Sequence, residues 1–333
     1  MSANKVIGRR AAIAAAASAI VAIPMVSSAV AQDAAASYPK GPVRMIVGFG
    51  PGGGNDIIGR IVAAKLQERL GQPVVFENRA GAGGIVAAEL VARAPPDGQT
   101  ILVAPVGTMV FNPVLFKKLP YDPEKSFSII TMVADYPLYL SVSTKTPVNN
   151  VKELIAYAKA NPTKANYAST SGIFQVTNEL FKLKTATHFE MIPFKSSNEM
   201  IQGVLTGQAM IGFIDPTALM PQVKAGNIRL LATTGAKRTP DLPDIPTVAE
   251  AGYPGVVVSG YTTLVVPAAT PKAIVKKLEK EVNEIIKAPD VVARFKTLSV
   301  YPVGGTGESH AAQVTKDLAM WREVIKQAKI PLQ

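Results

Sequence analysis

Gly48-Phe49-Gly50-Pro51-Gly52-Gly53-Gly54-Asn55-Asp56 is the segment of the chain best suited to holding a small anion. It lies between an apolar run of strand character and a long segment of helical period, so its last residues open a helix. Glycines allow positive φ and let a ligand reach the backbone. The first N–H groups of a helix have no partners within it, and with the positive end of the helix dipole they offer an anion several aligned donors. In open α/β sheets this is also where ligands bind, outside the carboxyl ends of the strands. Asp56 supports two readings. It is a structural cap of the helix start, or it orients an amino or hydroxyl group of a ligand whose carboxylate the amides hold.

Other segments add donors of the same kind. Glu77-Asn78-Arg79-Ala80-Gly81-Ala82-Gly83-Gly84 is a second glycine-rich turn after a strand, with Arg79 placed to support the loop. Tyr167-Ala168-Ser169-Thr170-Ser171-Gly172 runs from strand through a hydroxyl-rich loop into a helix, and its hydroxyls and amides suit a carboxylate. Phe213-Ile214-Asp215-Pro216-Thr217 ends a further strand, which makes Phe213 and Asp215 candidate site residues. Catalytic constellations are poor. The only histidines, His188 and His310, have no second plausible ligand near them in sequence, and no nucleophile elbow, metalloprotease helix or Walker loop is present. No metal, cofactor or catalysis is expected.

One enzymatic alternative stays open. Gly48, Gly50 and Gly53 satisfy the G-x-G-x-x-G spacing, and Glu77 ends the next strand where a ribose-binding acid would sit. The chain would then be an exported nicotinamide-dependent oxidoreductase. Pro51 speaks against it, because it removes a backbone donor from the turn that would hold the pyrophosphate. Asp56 would also repel phosphate at the helix start.

These loops need a scaffold, and the hydrophobic pattern supplies one. Val43–Val47 reads as a strand, and Ile57, Ile58, Ile61, Val62, Leu66 and Leu70 share one helical face before Gly71 as a C-cap. Val74–Phe76, Ile85–Ala94 and Thr100–Ala104 continue the alternation, and Met200–Leu205 followed by Ala209–Ile214 repeats it. The order β-α-β-α-β predicts a parallel sheet with helices on both faces. An internal echo bears on the domains. Leu140-x-Val142-x-x-x-Thr146-Pro147-x-x-x-Val151-Lys152-x-Leu154 has the same pattern as the segment from Leu264 to Leu278, including Thr270-Pro271. Each reads as a strand leading to a Thr N-cap with Pro in the first turn. Read as corresponding interlobe connections, the pair makes 141–259 an inserted second lobe, with 38–140 and 260–333 forming the first.

Composition sets the compartment. The chain has 333 residues, 48% of them hydrophobic, and no cysteine, which removes thiol catalysis, Cys-ligated zinc and a lipoprotein anchor. Lys5, Arg9 and Arg10 precede the apolar run Ala11–Ile23 and the small-x-small site Ala29-Val30-Ala31, the pattern of a signal peptide cleaved after Ala31. Its removal takes away three positive charges and no negative ones, leaving +8 of the formal +11. The remaining lysines are scattered and no basic run is interleaved with aromatics, so nucleic acid is not an expected partner. A periplasmic monomer is expected.

Taken in order and spacing, several motifs resemble the Bug or TctC type of periplasmic receptor associated with tripartite tricarboxylate transport. They are Pro51 to Asp56, Glu77 to Gly84, Pro96-Asp97-Gly98-Gln99-Thr100, Leu242 to Gly252 and Pro267-Ala268-Ala269-Thr270-Pro271. The resemblance covers nearly the whole mature chain. It implies an α/β, two-lobed, type II periplasmic-binding-protein fold with two crossover strands and a small carboxylate in the cleft. It further implies a tripartite tricarboxylate membrane permease as partner. Carried over by position, it points to Gly52, Gly53, Gly54 and Asp56, to the Gly107-Thr108 loop, and to Ser169, Thr170, Ser171 and Gly172. Two departures stand out. The stretch from Ser171 to Thr177 is shorter than in many members and has no His, and Lys125-Ser126-Phe127 stands where Lys-Asp-Phe is common. Phe174 and Phe213 fit either an apolar or aromatic acid or core packing.

Overall fold

The computed structural model describes residues 35–333. The signal-peptide expectation and the cleavage site after Ala31 lie outside these residues. The first elements follow the alternation read from the sequence: β1 (Val43–Val47), α1 (Gly54–Leu70), β2 (Val74–Asn78), α2 (Ile85–Ala92) and β3 (Thr100–Pro105). A π-turn at Gly107–Phe111 then leads through α3 (Asn112–Leu115) to β4 (Phe127–Pro137). Next come β5 (Tyr139–Ser143), α4 (Val151–Ala160), β6 (Asn166–Ser169), α5 (Gly172–Thr185), β7 (Glu190–Pro193), α6 (Ser197–Thr206), β8 (Gly212–Ile214), α7 (Pro216–Lys224) and β9 (Ile228–Thr233). The chain ends with β10 (Ser259–Pro267), α8 (Lys272–Ile285), α9 (Pro289–Thr297), β11 (Tyr301–Pro302) and α10 (Gly307–Gln327).

Among the described residues the strands form a six-stranded sheet, order β11-β4-β10-β3-β1-β2, a three-stranded sheet, order β8-β5-β9, and the pair β6-β7. A bridge from Tyr167 to Ile211 ties that pair to the three-stranded sheet. The larger sheet is built from the two ends of the described chain, and everything between Tyr139 and Thr233 belongs to the smaller ones. Leu138 alone separates β4 from β5, so the chain passes between sheets there and returns before Ser259.

The larger sheet is mixed, which differs from the expected parallel arrangement. β1 is parallel to β2 and β3, but β10 is antiparallel to both β3 and β4. Crossovers through α1 and α2 link the first three strands in parallel, whereas β10 arrives from the other sheet and runs the opposite way. The matched Thr-Pro segments also behave differently from expectation. Asn150 caps α4, accepting from Glu153 N at 2.9 Å, and α8 begins at Lys272 with Pro271 in the cap position. Pro favours extended backbone in the residue before it, so Thr146 and Thr270 stay outside the helices.

Helical faces account for much of the buried core. α1 buries Ile58, Val62 and Leu66, and α8 buries Ile274, Leu278, Val282 and Ile285, both on one stripe. α10 adds Val314, Leu318, Trp321 and Ile325, with the Trp321 ring 4.9 Å from that of Phe111. The smaller body closes around Phe181, whose ring meets that of Phe213 edge-on at 5.4 Å. Phe213 is therefore core, with no exposed surface.

Candidate functional site

Residues of both sheet bodies line one cleft. From the larger body come Phe49, Gly53, Gly54, Asn55, Pro105, Val106 and Gly107; from the smaller come Thr170, Ser171, Ile173, Phe174 and Ser197. Tyr136 and Leu138, where the chain changes sheets, form the floor. The cleft is narrow, with a cavity volume of about 20 Å³, and is lined by no charged side chain.

Two helix starts open into it. α1 begins after Gly53 (φ −78°, ψ 166°) and has no side-chain cap. α5 begins after Ser171, also without one. The leading amides of both helices thus keep donors for something other than their own chain. Between them the π-turn begins at Gly107, where a methyl group would come within 3.3 Å of Ser171 Oγ. Apolar side chains fill the rest of the wall.

Tyr136 sets the chemistry of the floor. Burial above all, then the Asp215 carboxylate, hold its phenol well above the ordinary value, while Thr262 and Asn55 draw it back through hydrogen bonds. The hydroxyl stays protonated in neutral solution. Thr262 on β10 donates to Asn55 Oδ1 at 2.7 Å, so the second interlobe strand is joined to the first turn of α1.

Of the residues singled out from the sequence, Gly53, Gly54, Asn55, Gly107, Thr170 and Ser171 line the cleft, and Gly52, Asp56, Thr108, Ser169, Gly172, Phe213 and Asp215 do not. Asp56 is buried beside the cleft rather than in its lining. Its carboxylate accepts from Gly52 N at 2.9 Å, from Asn78 Nδ2 at 2.7 Å and from Arg60 Nε at 3.0 Å, which ties the glycine loop to α1 and β2. These three N–H donors occupy most of its acceptor capacity. Gly52 has φ +76° and serves the turn. Thr108 is buried within the π-turn, where its carbonyl accepts from Tyr121 at 2.8 Å. Ser169 Oγ donates within its own loop, to Ser171 O at 3.3 Å. Gly172 abuts Phe111, where a methyl would lie 2.7 Å from Cβ. Asp215 accepts from the hydroxyls of Ser197 and Thr217 and is 3% exposed.

Ser197 was missed. Its signal was present: Ser196-x-x-Glu199 is a capping box, with Glu199 N bonded to Ser196 Oγ at 3.3 Å and Lys195 N to Glu199 Oε2 at 3.0 Å. That marks a helix start but not which cleft it faces. Phe49, Val106, Leu138 and Ile173 had no signal beyond apolar character.

The dinucleotide reading does not survive this geometry. A methyl on Gly48 would lie 2.6 Å from Gly84 Cα, and one on Gly50 3.2 Å from Ser196 Cβ, so protein occupies the space over the loop. Glu77 is held by Arg44 Nε at 2.7 Å and Arg79 Nη2 at 2.7 Å, with its pKa lowered to about 2 by those two guanidinium groups, and is no free ribose acceptor. Among the described residues no group of three or more His, Cys, Asp or Glu side chains is placed to hold a metal ion. His310 bonds Gly304 O at 2.7 Å and is structural.

Comparison with known proteins follows the same lines. Residues 58–330 match the family model described as tripartite tricarboxylate transporter family receptor. Protein BugT of Bordetella pertussis is 31% identical over 313 residues, covering 93% of this chain and 96% of its own. Among solved structures, BugD, a periplasmic binding protein, is 32% identical at a TM-score of 0.85, covering 89% of this chain and all of its own. Rpa4515 of R. palustris, solved with adipate, is 33% identical at 0.86 with the same coverage. MatC of Rhodopseudomonas palustris, solved with bound malate, is 29% identical at 0.83 and covers 86% of this chain and 100% of its own.

Proposed function

The chain belongs to the tripartite tricarboxylate transporter receptor family, whose members are periplasmic solute-binding receptors, and from that premise we propose that it captures a small carboxylate between two lobes and performs no chemistry on it. The lobes are residues 38–140 with 260–333, and residues 141–259, closing about Leu138 and the entry to β10. One observation carries the reading: two helix starts without side-chain caps, at Gly53 and Ser171, open into one cleft that has no charged lining. Aligned amides in a site shielded from water hold a carboxylate without any cationic side chain. Hydroxyls of Thr170, Ser171 and Tyr136 supply further donors, and the apolar wall suits a hydrocarbon body. The relatives solved with adipate and malate are of this ligand class. Delivery to a tripartite tricarboxylate permease, after export and cleavage at Ala31, completes the proposal.

A thermal-shift screen of the mature protein against small mono- and dicarboxylates, with NAD and NADP on the same plate, tests it. A ligand that binds only the folded state raises Tm, by about 2.7 kcal/mol of stability at a hundredfold excess over Kd. Shifts from carboxylates and none from the nucleotides are expected. A nucleotide shift with silent carboxylates refutes the proposal.

A further inference from the structure

Two glycines of the first loop have neighbours that a ligand does not explain. A methyl group on Gly52 would overlap Asn198 Nδ2, and one on Gly54 would overlap Asp215 Oδ1 and lie 2.5 Å from Thr217 Oγ1. Asn198 belongs to the start of α6, and Asp215 stands at the end of β8, both in the smaller body. The absent side chains of the glycine loop are therefore filled by the opposite side of the cleft.

Asp215 is built for that position. It is 3% exposed, and its two carboxylate oxygens accept from Ser197 and Thr217, both from its own body. Its charge is felt at Tyr136 on the cleft floor. Opposite it lies the first turn of α1, the positive end of a 17-residue helix. A carboxylate at 215 is desolvated when the bodies meet, which costs free energy, and the helix start offsets that cost only if the backbone comes close. Glycine at 54 permits the approach, since any Cβ would strike the carboxylate.

We propose that Gly54 and Asp215 form the closure contact of the cleft, which makes Asp215 a positioning residue that governs how long a ligand is retained without itself lining the ligand's space. The inference rests on the cleft being a site that closes. Ser197 links the two roles, because it lines the cleft and also donates to Asp215.

The chain has no cysteine, so one introduced at Val86 on α2 and one at Leu183 on α5, both exposed, allow a dye pair to report lobe separation. Fluorescence transfer without ligand decides the inference directly. Gly54→Ala should lower transfer relative to the parent, because the methyl holds the bodies apart. Its Tm should not fall, because alanine is the better helix former. With the best carboxylate from the screen, Gly54→Ala should weaken binding about five- to hundredfold, the equivalent of an overpacking penalty, and chiefly by faster release. Asp215→Ala provides the discriminating arm. If the two residues act through one contact, the double variant closes and binds at least as well as Gly54→Ala alone. A parent-like transfer efficiency in Gly54→Ala overturns the proposal, as does a double variant showing the sum of the single losses. A parent that binds no carboxylate sinks the functional reading instead, while the ligand-free transfer values still decide the contact.

Discussion

A carboxylate taken out of water needs donors on most of its lone pairs, and Asp56 has them from Gly52, Asn78 and Arg60. Replacing it with alanine leaves the Gly52 amide without its acceptor and Asn78 with only one of its two, the Phe49 carbonyl. The expected cost is about 2 kcal/mol of folding stability, read as a lower urea midpoint with an unchanged slope. Glu77 makes a prediction about acid. Its carboxyl titrates at about 2 in the folded protein, held down by Arg44 first and Arg79 second, against roughly 4.3 in an unfolded chain. The unfolded state thus binds the proton more readily between those values. The stabilisation is complete above roughly pH 5 and is lost as pH falls toward 2. The Arg44 partner is 42% exposed, so its size is about 1 kcal/mol rather than the full shift. The Tm difference between parent and Glu77→Gln should be flat from pH 5 to 8 and vanish near pH 2; a difference that grows in acid contradicts the pairing. Residue types alone made Asp56 a candidate for either role. Its bond from Asn78, 22 positions away, is a tertiary fact that the types did not show.

At the scale of elements, Gly59 shows how packing overrides propensity. It lies within α1, where alanine is normally better by about 1 kcal/mol. A methyl there would stand 2.6 Å from the Phe76 ring and 3.1 Å from Val103 on the sheet beneath. Overpacking of this kind costs about 1–3 kcal/mol, so Gly59→Ala should lower Tm despite its better propensity. An unchanged or higher Tm means that the ring moves aside. The helical periods of α1 and α2, the strands β1 and β3 and the C-cap at Gly71 were legible because each depends on its own few residues. The antiparallel β10 and the true starts of α4 and α8 were not. Strand direction depends on where the chain has been, and Thr146 and Thr270 carry cap chemistry that the prolines after them displace. Both glycine loops were found as loops for the same local reason. Which protein surface would face them was not legible, since Ser196, Asn198 and Asp215 lie some 140 to 165 positions away.

At the scale of the whole molecule, two bodies of unequal size share a floor made where the chain passes between them. Tyr136 on β4 and Thr262 on β10 sit in the two connecting strands, and Asn55 joins them to the helix start above. In the proposed function, a bend at this floor moves Gly53 and Ser171 together or apart, so that capture of a ligand and closure are one event. The resemblance of ordered motifs made the family legible from the sequence. The cleft lining was only half legible, because its apolar members look like any core residue. Gly53 offers the cleanest probe of the central claim that backbone amides at α1 hold the carboxylate. Its φ of −78° suits any residue, and a Cβ there meets nothing nearer than 3.6 Å, so Gly53→Val should fold normally while its branches crowd the amides. Calorimetric titration of the best-binding carboxylate into parent and Gly53→Val is the direct measurement. A loss of affinity of tenfold or more (about 1.4 kcal/mol), with Tm unchanged, is the predicted result. Equal affinity in a normally melting variant would contradict the account and place the ligand elsewhere.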